Sequence, residues 1–234
     1  MHGRVKVRST EEQEALKELE RQKKCKGYLV LRNALFAKRN AQVHDRDGLQ
    51  LSEQILLLNP DFTTVFAYRR ETLLALLASD EPVDWAAERE FTTACLKRNP
   101  KSYNCWHHRR WILNQEAEPQ AEAELELCTL FLKHDERNFH CWDYRRFVVE
   151  KLDRHDAVAT ELAYTEDKIS HNYSNYSAWH NRSNLLLQFH GVTEPAQLAT
   201  EALDAELELL TNAFYIDPQD QSAWYYHRWL LGRA

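Results

Sequence analysis

Apolar positions along this chain recur at helical spacing inside a longer unit that appears five times. Each unit carries an aromatic anchor followed three or four residues later by arginine. The anchors are Phe66, Trp106, Trp142, Trp179 and Trp224, at intervals of 40, 36, 37 and 45 residues. Upstream of them, Leu51, Phe91, Leu127, Tyr164 and Leu209 share one column, and Leu56, Leu96, Leu132, Ile169 and Phe214 share another five residues on. That offset is about one and a half turns, so the two columns define a broad apolar face on one helix. The residue pairs Asn59-Pro60, Asn99-Pro100 and Asp217-Pro218, with Asp135 and Asn172 in the other two units, then stop that helix, because proline disfavours helix before it and Asn/Asp supports turns. Ser102, Asn138, Asn175 and Asp220, each four residues before a tryptophan, are placed to cap a second helix. Leu73, Leu113, Val149, Leu186 and Leu231, seven residues after the anchors, give that second helix its own apolar position.

Helical hairpins repeated at this period form α-α superhelices, in which each hairpin buries its face against its neighbours. The pattern therefore predicts an all-α solenoid and one domain over residues 1–234, with linkers near 79–84, 116–121, 152–157 and 190–197. Residues 1–46 read as an arm and a capping helix, which Ser9-Thr10-Glu11-Glu12 opens as a capping box near residue 10.

Composition agrees. Of 234 residues only five are glycine and six proline, well under the usual shares of about 7% and 5%, so tight hairpin turns lack material. Leucine occurs 32 times against ten valines and four isoleucines, which favours helix over strand. No two glycines stand close enough for a dinucleotide or P-loop fingerprint, so any phosphate must be met by side chains. Five cysteines without a C-x-x-C pair read as reduced and structural, which suits a cytoplasmic protein. No export signal or membrane span is expected. Charge is uneven: residues 1–46 are net +6 and residues 47–234 net −12. An acidic body of that kind argues against a nucleic-acid groove.

The anchor aromatics read as core wedges. For the arginine column two readings stand, a bond to a carboxylate or helix-end carbonyl of the adjacent unit, and a contact with an external partner; Glu88, Glu124, Glu161 and Glu206 form a column able to supply the carboxylates. Lys101, Ser102, Tyr103, His107 and His108 crowd one loop and helix start, with Asn138, His140 and Tyr144 at the equivalent place one repeat later. A lysine and a tyrosine at a helix N-terminus suit an anionic phosphate group, and a solvated surface is the alternative. His107-His108 point in different directions on a helix and bring no acidic or thiol set, so no metal site is expected from this chain alone. Neither a D-D-x-x-D run nor a nucleophile motif is present.

With N-P-K-S-Y-N-C-W-H-H-R-R at 99–110, E-R-N-F-H-C-W-D-Y-R-R-F at 136–147 and D-Q-S-A-W-Y-Y-H-R-W-L-L-G-R at 220–233, the sequence resembles the protein prenyltransferase α subunits. The second and third of these segments and the opening M-H-G-R-V-K-V resemble the Rab geranylgeranyltransferase type most. The resemblance implies helical hairpins wrapping a separate β subunit, which holds zinc and the lipid pocket. The heterodimer would transfer geranylgeranyl from geranylgeranyl diphosphate to C-terminal cysteines of Rab GTPases presented by a Rab escort protein. It implies Lys101 as a catalytic and substrate-binding residue near the lipid diphosphate, Tyr103 as its neighbour there, and Asn138 and His140 at the same mouth. For His2 two readings stand: an arm that folds back over the partner's zinc, as in related α subunits, or an unstructured arm. The sequence stops at Gly232-Arg233-Ala234, inside the second helix of the fifth unit, where fuller family members continue. A farnesyltransferase-type α subunit and a non-catalytic protein-binding scaffold are the alternative functions.

Overall fold

A computed structural model describes residues 10–152, 156–189 and 198–233. Among these residues the regular elements are all helices: α1 (Glu11–Asn40), α2 (Arg46–Leu58), α3 (Thr63–Ala78), α4 (Trp85–Arg98), α5 (Tyr103–Gln115), α6 (Ala121–His134), α7 (Phe139–Val149), α8 (Ala157–His171), α9 (Tyr176–Phe189), α10 (Thr200–Ile216) and α11 (Gln221–Leu231). After α1 they pair as five hairpins, and in each hairpin four residues join the two helices: 59–62, 99–102, 135–138, 172–175 and 217–220. No helix of the described residues is long and apolar enough to cross a membrane. The expected linker at 190–197 lies outside the described residues.

Local chemistry explains the uniform joins. In all five, the Asn or Asp that ends the first helix accepts, through its side-chain oxygen, the amide two residues on: Asp61, Lys101, Arg137, Ser174 and Gln219, at 3.1–3.2 Å. Two of these turns lack proline, so the Asn/Asp oxygen is the common stop signal. The side chains of Ser102, Asn138, Asn175 and Asp220 then cap α5, α7, α9 and α11 by accepting the amides of Cys105, Cys141, Ala178 and Ser222. Of the second helices of the five hairpins, α3 begins without one, at Phe62. The capping box of α1 is shifted by one residue from its expected place: Thr10 and Gln13 make the reciprocal bonds.

The helices gather into two compact units, one ending at Ile112 and one beginning at Leu113. In the first, α2 lies against α1, α3 and α4, over a core that includes Leu35, Leu56, Phe66 and Leu96, all fully buried. In the second, α6 packs on α7, α8 on α9, and α11 on α9 and α10, around Leu132, Trp142, Ile169 and Trp179. Trp106, Trp142 and Trp179 are buried wedges, whereas Trp224 is 45% exposed and stacks on Phe214 at 4.0 Å. Each indole also donates to the carbonyl six residues earlier (Pro100, Glu136, Tyr173 and Pro218, at 2.8–2.9 Å), so the wedge fastens its own join. All five cysteines are free and four are buried. Burial pushes the Cys105 and Cys128 thiols well above their ordinary range, which makes them inert packing groups.

Candidate functional site

The join 99–102 and the start of α5 carry Lys101 and Tyr103. Their backbone is held from several sides. The Lys101 amide donates to Asn99 Oδ1, the Trp106 indole to the Pro100 carbonyl at 2.8 Å, and the Ser102 hydroxyl to the Pro60 carbonyl at 2.7 Å. Asn99 Nδ2 donates to Asp61 Oδ2 at 2.6 Å and Asn104 Nδ2 to the Asp61 carbonyl at 3.0 Å, which ties this join to that of the preceding hairpin. Lys101 is exposed, and Tyr103, the first residue of α5, is 68% exposed. An ammonium and a phenol thus sit on a rigid base at the positive end of a helix, an arrangement that stabilises an anion.

The equivalent join of the second unit is built alike. Arg137 donates its amide to Asp135 Oδ1 and its guanidinium to the Ser174 carbonyl at 2.8 Å, and Asn172 Nδ2 donates to Glu136 Oε2 at 2.8 Å. Here Asn138 is 1% exposed with its side-chain oxygen engaged in the α7 cap, and His140 is 7% exposed with its ring 3.9 Å from that of Phe139. Lys101 and Tyr103 belong to the first unit, Asn138 and His140 to the second, at matching places in their repeats. Asn99 and Trp106, which fix the Lys101 loop, were not among the expected site residues; their signal was present as the two columns standing seven residues apart.

Beneath the joins runs a buried ion-pair lattice, the structural member of the two readings for the arginine column. Arg69 grips Glu88 with a two-pronged bond at 2.6 and 2.7 Å, Arg182 grips Glu206 at 2.8 Å twice, and Arg145 reaches Glu161 in the same way. Each arginine belongs to one hairpin and its glutamate to the next. The remaining Nη1 returns to the first helix of its own hairpin: Arg69 to the Leu49 carbonyl and Ser52, Arg109 to the Arg89 carbonyl, Thr92 and Thr93, Arg145 to the Leu125 carbonyl and Thr129, Arg182 to the Leu162 carbonyl and Thr165. On the other side, the residue two after the anchor holds its own hairpin's glutamate, with His108 on Glu88 at 2.7 Å, Tyr144 on Glu124 at 2.8 Å and Tyr226 on Glu206 at 2.8 Å.

Burial opposes ionisation of Glu88, yet the bonds from His108 and Arg69 outweigh it and hold its carboxyl at about 2. Burial lowers the proton affinity of His108 despite the adjoining carboxylate, so at neutral pH its imidazole is uncharged and Nε2 carries the proton toward Glu88. His108 is therefore a lattice member rather than a surface group. In the first hairpin the glutamate register holds Gly48, and a Cβ there would meet the Tyr68 hydroxyl at 2.2 Å; Tyr68 fills the space and donates to the Val43 carbonyl at 2.7 Å.

No group of three or more His, Cys, Asp or Glu that could hold a metal exists among the described residues. His2 lies outside the described residues.

Four of the five hairpins match the family described as "Protein prenyltransferase alpha subunit repeat", at residues 85–116, 121–152, 158–189 and 203–234. The chain is 51% identical, over its full length, to the geranylgeranyl transferase type-2 subunit alpha of Mus musculus and of Homo sapiens, and spans 42% of the length of each. It is 32% identical to the subunit of that name from Saccharomyces cerevisiae, with 99% of this chain and 72% of that protein covered. Its fold is shared with a chain of the Candida albicans protein geranylgeranyltransferase-I complexed with GGPP, at a TM-score of 0.75 and 24% identity, over 89% of this chain and 67% of the other. With four of its hairpins matched by the repeat family and a 32% identical relative matched over most of both lengths, the chain belongs to the protein prenyltransferase α subunit family.

Proposed function

We propose that this chain acts as the α subunit of a Rab-type protein geranylgeranyltransferase. It works in the cytoplasm as a heterodimer with a β subunit, and the complex moves a geranylgeranyl group from geranylgeranyl diphosphate to C-terminal cysteines of Rab GTPases presented by a Rab escort protein. The observation that carries this reading is the 51% identity over the whole chain to subunits named geranylgeranyl transferase type-2 alpha, with Lys101 and Tyr103 on the fastened loop. Zinc, in this reading, belongs to the β subunit.

The chemistry asked of this chain is electrostatic. A cysteine sulfur displaces diphosphate from the lipid, the new bond being carbon to sulfur and the broken one carbon to oxygen. Negative charge builds on the departing oxygens. The Lys101 ammonium offsets that charge and the Tyr103 hydroxyl donates to it, and because their backbone is already fixed, little reorganisation is needed at the moment of reaction. In the second unit, Asn138 acts as a positioning residue through the α7 cap, and His140 lies beside Phe139 at the start of the same helix. Co-expression with a β subunit, followed by transfer to an escort-bound Rab, tests the reading: the wild-type heterodimer transfers geranylgeranyl and Lys101→Ala loses rate, whereas a complex equally active without Lys101 overturns its role.

A further inference from the structure

Arginine stands four residues after the anchor in α3, α5 and α7, as Arg70, Arg110 and Arg146. In the second unit Arg146 is satisfied twice. Asn181 Oδ1, two residues after the next anchor, accepts from Nη1, and Asp143 Oδ1, one residue after its own anchor, accepts from Nη2 at 3.1 Å. In the first unit neither register forms a bond to Arg70. The place of Asp143 is taken by Ala67, and the place of Asn181 by His108, whose Nε2 is committed to Glu88 and whose buried Nδ1 has no hydrogen-bond partner among the described residues.

Arg70 consequently makes no hydrogen bond or ion pair among the described residues, although it is half-buried. Burial depresses its proton affinity, and the acid acting against that is its chain neighbour Glu71. The exposed His107 is its neighbour from α5: burial, then the charges of Arg70 and Arg110, push the imidazole below its usual range, with no acidic group among the influences on it. Arg70 is thus a half-buried guanidinium without an ion-pair partner among the described residues, in a protein whose residues 47–234 carry net −12. Desolvating a guanidinium without an acceptor is unfavourable, and a group that brings two oxygens relieves it best.

We infer that Arg70, with His107 beside it, receives a carboxylate side chain of the partner β subunit, which supplies the acceptor that Asn181 and Asp143 supply to Arg146. This rests on the heterodimer reading above. A carboxylate matches the guanidinium fork and the acceptors used in the same register of the second unit, while the acidic surroundings disfavour a polyanion such as nucleic acid.

The test is the affinity of the purified chain for the β subunit, measured by calorimetry for wild type, Arg70→Gln and Arg70→Glu, with a thermal melt of each free chain. Because Arg70 holds no bond within the described residues, the free chains melt alike. The expected result is about tenfold weaker assembly for Arg70→Gln and about 100-fold for Arg70→Glu, or roughly 1.4 and 2.7 kcal/mol. The uncharged variant gives the reading should charge reversal disturb folding. Unchanged assembly of both variants overturns the inference, as does normal assembly with a raised KM for geranylgeranyl diphosphate, which would give Arg70 to the substrate. Failure of the wild-type chain to bind any β subunit instead overturns the heterodimer reading itself.

Discussion

Ser102 donates its hydroxyl to the Pro60 carbonyl across 2.7 Å while accepting the Cys105 amide at 3.2 Å. One buried side chain therefore caps α5 and pins its start to the preceding hairpin, one residue from Lys101. Ser102→Ala removes both bonds. The expected cost is about 1–3 kcal/mol of stability, read by urea unfolding, together with a several-fold loss of transfer rate in the heterodimer as the Lys101 loop loosens.

Arg145 and Glu161 are both buried, and the pair joins two hairpins of the second unit. Glu161→Ala leaves a buried guanidinium without its counter-charge and should cost about 3–5 kcal/mol, whereas replacing both residues by methionine should restore most of that loss. Chemical denaturation of the two variants checks this. A double variant no better than the single would mean that the Arg145 bonds to the Leu125 carbonyl and Thr129 carry the junction.

How far the sequence can be read follows from the range of the interactions. The hairpins, their joins and four of the five second-helix starts are written in short-range chemistry, an Asn/Asp oxygen reaching two residues on and a Ser, Asn or Asp reaching two or three, so the columns displayed them directly. The arginine and glutamate columns were also visible. Their pairing from one hairpin to the next, and the grip of His108, Tyr144 and Tyr226 on the other side of the glutamates, depend on how helices far apart in sequence lie together. Asn138 shows the same limit at the site: its loop position is shared with Ser102, and only packing reveals that both are buried caps while Lys101 and Tyr103 stay at the surface.

Gly48 stands where the other hairpins have glutamate, and a Cβ would come within 2.2 Å of the Tyr68 hydroxyl. Tyr68 is fully buried and bonded to the Val43 carbonyl, so it has little room to retreat. Gly48→Ala should destabilise the chain by about 1–3 kcal/mol even though alanine favours helix, a sign opposite to that of the same change at an open helical glycine such as Gly27. Thermal melts of Gly48→Ala and Gly27→Ala make the comparison.

Stability should fall on acidification in two stages. His108 has a depressed proton affinity in the fold, so below about pH 6.5 the unfolded chain takes up the proton more readily and unfolding gains. Glu88 titrates at about 2 in the fold against 4.5 ordinarily, so its stabilisation is complete above pH 4.5 and disappears as pH falls toward 2, amounting to roughly 3 kcal/mol. A Tm profile from pH 8 to pH 3 should be flat at first, decline below 6.5 and steepen below 4.5. Glu88→Gln should be less stable at pH 7 and show a shallower acid limb.

The role proposed for Lys101 is stabilisation of a diphosphate leaving group. Its most direct test is single-turnover transfer of geranylgeranyl to an escort-bound Rab by the purified heterodimer, wild type against Lys101→Ala, with heterodimer assembly and lipid binding measured in parallel. The expected result is a loss of about 100-fold or more in the transfer step with assembly unchanged, the size expected for removing one preorganised charge from a developing anion. Transfer at the wild-type rate by an intact Lys101→Ala heterodimer would contradict it.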